Sequence, residues 1–134
     1  MKQNYFGMKN TLFLLLFLCF SSFSFAQTIS GSVFFDGNSN GVKDATEVGY
    51  HGVTVKAFNS ANTEVASATT SPLSGDYTLS GLTTGQRYRV EFTVPSPANS
   101  GVFGTSSSSS VQFAMAGATG INFSVHVPSE TFTD

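Results

Sequence analysis

Apolar and polar residues alternate with period two along most of the chain. Ile29, Gly31, Val33 and Phe35 alternate with Ser30, Ser32 and Phe34, and Val53, Val55 and Ala57 alternate with Thr54 and Lys56. Successive side chains of a strand point to opposite faces, so the pattern predicts half-buried β-strands. A weaker strand is expected around 63–70. Another is expected at 76–79, after the turn chemistry of Ser71-Pro72-Leu73-Ser74-Gly75. The clearest is 87–94, where Tyr88, Val90, Phe92 and Val94 point one way and Arg87, Arg89, Glu91 and Thr93 the other. Runs at 111–115 and 120–127 follow, the latter with Ile121, Phe123, Val125 and Val127 as its buried face. No window carries a helical period. Seven short strands with turn signals between them predict an all-β fold, an antiparallel seven-stranded β-sandwich of immunoglobulin-like or prealbumin-like type.

Three segments stand outside this pattern. Lys2 and Lys9 precede the apolar run Leu12 to Phe20, and Ser24-Phe25-Ala26 places small residues at −3 and −1 of a cleavage site. Residues 1–26 therefore read as a signal peptide, too short in its apolar core to span a bilayer, and the product as exported. The Pro- and Ser-rich stretch 95–110 is expected to be a mobile surface loop. Residues 128–134 leave the last strand without a closing element and read as the start of a linker or a truncated continuation. The domain itself is placed at 27–127.

Composition narrows the partners. Removal of Lys2 and Lys9 leaves Lys43, Lys56, Arg87 and Arg89 against all eight acidic residues, so the formal charge moves from −2 to −4. Four scattered cations give no footprint for nucleic acid and no basic amphipathic face for a membrane. The one cysteine, Cys19, lies in the signal peptide, so disulfides cannot staple the domain. A metal is one substitute.

Between the first two strands runs Asp36-Gly37-Asn38-Ser39-Asn40-Gly41-Val42-Lys43-Asp44-Ala45-Thr46-Glu47. It matches the calcium-loop template D-x-[DN]-x-[DN]-G-x5-E throughout. Asp36, Asn38 and Asn40 take positions 1, 3 and 5, Gly41 position 6, Val42 position 7, Asp44 position 9 and Glu47 position 12. Calcium wants roughly six to eight oxygens, and alternate side chains converge as the chain wraps. Gly41 permits the turn that brings the Val42 carbonyl inward, and Glu47 is long enough to close the cage. Only three of the donors are carboxylates, which predicts the weaker extracellular range of affinity, roughly 10⁻⁴ to 10⁻³ M or somewhat tighter. The competing reading is an ordinary polar turn, since Asp, Asn and Gly are turn formers. A helix–loop–helix hand is not expected, because a strand precedes the loop and Gly49 and Gly52 follow it.

With strands around such a loop, the sequence resembles the SD-repeat B-like (SdrD B-like) domains of bacterial surface proteins, relatives of the Cna-B modules. The resemblance rests on residues 31–55 (GSVFFDGNSNGVKDATEVGYHGVTV), 74–92 (SGDYTLSGLTTGQRYRVEF) and 121–125 (INFSV). It implies a calcium-rigidified β-sandwich, one of several beads in a stalk, with Asp36, Asn38, Asn40, Asp44 and Glu47 as side-chain ligands. Two features depart from the family. The internal Lys–Asn isopeptide bond of many Cna-B modules starts from a first-strand lysine, which residues 29–35 lack; Lys56 with Asn122 is the one conceivable pair, and Lys56 reads better as a solvated side chain. The acidic stretch that carries extra calcium sites in some members is replaced by Ser106 to Ser110.

No constellation for catalysis emerges. His51 and His126 have no partner at zinc-ligand spacing and read as surface histidines. No G-x-S-x-G elbow marks a serine. Asp76 and Glu91 read as solvated or ion-paired carboxylates rather than an acid–base pair. Phe34 is either an exposed contact for a neighbouring module or a residue lying under a loop. The expectation is a non-catalytic, calcium-stabilised spacer of a secreted or cell-surface adhesin-type protein. It would be monomeric, with neighbouring modules and a host or matrix ligand as partners. The rival is a carbohydrate- or host-protein-binding module using its loops, against which stand the absence of Trp and the mostly core-like or loop-base positions of Tyr50, Tyr77 and Tyr88.

Overall fold

The computed structural model describes residues 26–95, 103–104 and 109–126. Residues 1–25 of the segment read as a signal peptide, most of the 95–110 segment, and residues 127–134, with the expected strand residue Val127, lie outside the described residues. The strands are β1 (Ala26–Phe35), β2 (Thr54–Phe58), β3 (Glu64–Thr69), β4 (Asp76–Thr83), β5 (Arg87–Thr93), β6 (Phe103–Gly104), β7 (Val111–Met115) and β8 (Phe123–His126). The seven expected strands are all present, and β6 is a two-residue addition from the stretch read as loop.

Two sheets face each other. One has the order β4-β1-β8, with β6 on its edge, and the other β3-β2-β5-β7. The alternating residues of the sequence meet between them: Ile29 and Val33 of β1, Leu79 of β4, Val55 and Ala57 of β2, Val90 of β5 and Val125 of β8 are all fully buried. Each of these valine, leucine and isoleucine side chains contributes about 1.5–3 kcal/mol over leaving it exposed, and Ala57 less. Aromatic contacts finish the packing, with Phe92 edge-on to Tyr77 and stacked on Phe123.

One pair departs from the expected antiparallel arrangement. β1 pairs antiparallel with β4 along Ala26–Ser32, but along Val33–Phe35 it pairs parallel with Phe123–Val125 of β8. The parallel course begins before β8, because Gly117 N–H donates to Thr28 O, Ser30 N–H to Ala118 O and Ile121 N–H to Ser30 O. Asn122 then lends its side chain to the ladder, Oδ1 accepting the Ser32 N–H at 2.9 Å. Gly31 sits where this approach is tightest; a Cβ there would overlap the Ile121 carbonyl. Parallel first and last strands place the start of β1 and the end of β8 at opposite poles. The turns after β2 and β4 share the pole where β1 starts, and the 36–47 loop shares the pole where β8 ends.

Candidate metal centre

The loop is closed at its base by the β-ladder. Phe35 N–H donates to Val48 O at 2.9 Å and Tyr50 N–H to Val33 O at 2.8 Å, with an isolated bridge between Phe34 and Gly49. Asp36 and Glu47 thus stand one residue beyond a paired rung. Phe34 is fully buried outside the main core cluster, so it is not an exposed contact.

Within the loop the five sequence-predicted side chains form one network. Asp36 is fully buried, and its Oδ1 and Oδ2 accept the N–H groups of Asn40 (3.1 Å) and Gly41 (2.7 Å). Two left-handed residues, Ser39 (φ 59°) and Gly41 (φ 75°), turn the chain back for this. Glu47 accepts Gly37 N–H at Oε1 and Asp44 N–H at Oε2, both at 3.0 Å. Asp44 Oδ2 receives the side-chain amides of Asn38 (2.7 Å) and Asn40 (2.9 Å). Val42 exposes its side chain and donates its N–H to Asn40 Oδ1 at 2.8 Å.

Among the described residues no three His, Cys, Asp or Glu side chains are grouped as a metal centre. The loop's donors are partly amides, and its carboxylates face backbone N–H groups. The chemistry of the set nonetheless fits a hard cation. All donors are oxygens, and Asn38, Asn40 and Asp44 already converge on one point. The two carboxamides present their Nδ2 atoms there, while Asn38 Oδ1 accepts Asn40 N–H (3.1 Å) and Asn40 Oδ1 accepts Val42 N–H (2.8 Å). A cation would therefore require both side chains to turn and give up these bonds. The local charge is also unbalanced: Lys43, the loop's cation, reaches away to Ser74 O (3.1 Å). The ion pairs among the described residues, Lys56–Glu64 and Arg89–Glu91, lie on the second sheet.

Two residues tie the loop to the rest of the domain. Asp36 N–H donates to Val125 O at 2.9 Å. His126 Nδ1 lies 3.1 Å from the Asp36 carbonyl and 3.2 Å from Ser39 Oγ, so the histidine read as a surface residue is a brace. Spacing gave no hint of it, because the two positions are separated by 90 in sequence. The family model of the SdrD B-like domain matches residues 27–133.

The chain belongs to the SdrD B-like domain family. No curated protein matches it. SdrD B-like domains are structural modules of surface proteins, a family not known as catalytic.

In this SdrD B-like domain the residues considered for other chemistry are occupied elsewhere. Lys56 Nζ pairs with Glu64 at 2.8 Å on the second sheet, while Asn122 Oδ1 is held by Ser32 beside β1, so the two are not poised for an isopeptide bond. Asp76 opens β4 in the first sheet, and Glu91, in the second, holds Arg89 Nε at 2.6 Å. Tyr77 and Tyr88 belong to the core: Tyr77 donates its hydroxyl to Ile121 O (2.6 Å), and Tyr88 Oη accepts Thr83 N–H (2.9 Å). A cavity of about 320 Å³ opens at the turn pole, lined by Phe58, Asn62, Arg87, Arg89 and Phe113 among others, far from the loop.

Proposed function

We propose that the protein is an exported, non-catalytic spacer module of a cell-surface, adhesin-type protein, stiffened by calcium in the 36–47 loop. The observation that carries this reading is the parallel pairing of β1 with β8. A chain that enters β1 at one pole and leaves β8 at the other passes straight through the domain, as an in-line bead requires. The loop lies at the pole of departure, and His126, the last residue of β8, contacts it.

The side chains of Asp36, Asn38, Asn40, Asp44 and Glu47 and the Val42 carbonyl would hold the ion. Bound calcium would offset two of the three carboxylate charges and tie residues 36–47 into one unit. Binding only to the folded state adds about 2.7 kcal/mol at a hundredfold excess over Kd. That offsets the absence of disulfides.

The test is a thermal melt with calcium and then with chelator, beside the Glu47→Gln variant. A calcium-dependent rise in Tm that Glu47→Gln abolishes is expected. Identical melts in calcium and chelator would reduce the loop to a polar turn and remove calcium from the proposal.

A further inference from the structure

β7 carries its apolar residues on the wrong face for a core. In Val111-Gln112-Phe113-Ala114-Met115 the large apolar side chains alternate, yet Phe113 is 67% exposed, Met115 43% and Val111 41%, whereas Ala114 is buried. The register with β5 dictates this. Met115 lies opposite Arg87, Phe113 opposite Arg89 and Val111 opposite Glu91, and opposed residues share a face. Gln112, turned inward, donates from Nε2 to Asn122 O at 2.7 Å and Ser109 O at 3.1 Å, which holds the strand in this phase.

Among the described residues the same strand is an uncovered sheet edge. Phe92 N–H to Ser110 O and Ala116 N–H to Gln86 O fix the phase of the β5–β7 ladder. By the alternation of antiparallel pairs, Gln112 and Ala114 then aim their backbone groups at β5. Phe113 N–H and C=O, Met115 N–H and Val111 C=O point away from it. β7 has no charge and no proline, the usual protections of an edge. β3, at the other edge of this sheet, has both a bulged register and the Lys56–Glu64 ion pair.

We infer that β7 is a self-association edge, on which the β7 strand of a second copy adds antiparallel with Phe113 on the two-fold axis. The occupant follows from the symmetry of the strand. Centred on Phe113, the pairing sets Phe113 against its own copy and Val111 against Met115, so apolar meets apolar and no charge meets a like charge. Each open N–H then faces an open C=O: two bonds between the Phe113 residues, and two from Met115 N–H to Val111 C=O. The outer bonds of each end pair are already replaced internally, by Val111 N–H to Ser109 Oγ and Ala118 N–H to Met115 O. Two four-stranded sheets become one continuous sheet. Five-residue strands bury little area, so the pair belongs with weak, transient contacts. It forms where copies are concentrated, as on one surface or between two facing ones, and it needs no calcium.

The experiment is sedimentation velocity over rising concentration, with a crosslinking arm in a Cys19→Ser background. Wild type is expected to shift from monomer to dimer. Phe113→Lys, which sets like charges opposite each other, stays monomeric, and so does Phe113→Pro, which removes the edge N–H while leaving the β5 ladder intact. Because Phe113→Lys also sets a cation opposite Arg89, Phe113→Glu is made beside it, which meets Arg89 with opposite charge and its own copy with like charge. It too stays monomeric, with the circular dichroism of wild type. Phe113→Cys oxidises to a disulfide dimer, since a hydrogen-bonded antiparallel pair sets Cα atoms about 5.5 Å apart, within disulfide reach. Ser60→Cys, in the turn after β2, does not. The proposal is overturned by a wild-type chain that stays monomeric throughout, by dimerisation of Phe113→Lys equal to wild type, or by Ser60→Cys crosslinking as fast as Phe113→Cys.

Discussion

Glu47 reaches back across the loop to Gly37, its Oε1 accepting the Gly37 N–H at 3.0 Å while Oε2 accepts Asp44 N–H at 3.0 Å. The twelfth residue thus ties the start and the middle of the loop even in a metal-free hydrogen-bonding scheme. In chelator, Glu47→Ala should cost about 0.5–1.5 kcal/mol, because water can reach the freed donors. Urea unfolding of the two proteins measures this; equal midpoints would mean that the contacts do not persist in solution.

Asp36 should matter more than Glu47, because it is buried. Asp36→Ala leaves Asn40 and Gly41 N–H without their carboxylate and opens space beneath the loop. A loss of about 2–4 kcal/mol is expected without calcium, and Asp36→Asn, which keeps one acceptor oxygen, should lose less. The ranking Ala, then Asn, then wild type in urea midpoint checks it.

Gly31→Ala probes the parallel approach of residues 117–122 to β1. Its Cβ would collide with the backbone of Ile121, which cannot rotate away. A loss above about 3 kcal/mol, or failure to fold, is expected. Gly81→Ala meets no atoms and has only its φ of 78° to strain, so about 1–2 kcal/mol should suffice there. Similar melting temperatures for the two variants would contradict the close approach.

Burial pushes the Tyr77 phenol well above its usual pKa. The unfolded chain therefore releases this proton first. The stability tied to Tyr77 is complete below about pH 10 and falls as pH rises through the raised folded value. Tyr77→Phe should be less stable at neutral pH by about 1–2 kcal/mol, since Ile121 O loses its donor. Its stability should decline less steeply above pH 10, as melts across pH 8–11 would show. Parallel declines would place the alkaline sensitivity elsewhere.

Isopeptide formation expels ammonia, whereas Lys56 is held by Glu64 and Asn122 by Ser32. The intact mass of the purified protein should match its sequence with no loss of ammonia. Such a loss, mapped to a Lys56–Asn122 crosslink, would contradict this arrangement.

The sequence by itself determined the strands and the loop. In β5 the alternation Tyr88, Val90, Phe92 against Arg87, Arg89, Glu91 fixes both the element and its buried face, because strand periodicity is local and polarity decides the side. The twelve residues from Asp36 to Glu47 are likewise legible, since their spacing lies within one loop. Only the tertiary structure decided the partners. Nothing local pairs Val33 with Phe123 in parallel or brings His126 to Asp36, because both contacts join positions about 90 apart and depend on how two sheets close. The same reason explains β7. Its alternation announces a strand, but the face it presents is set by the phase of pairing with β5, and one residue of register decides whether Phe113 faces the core or the solvent.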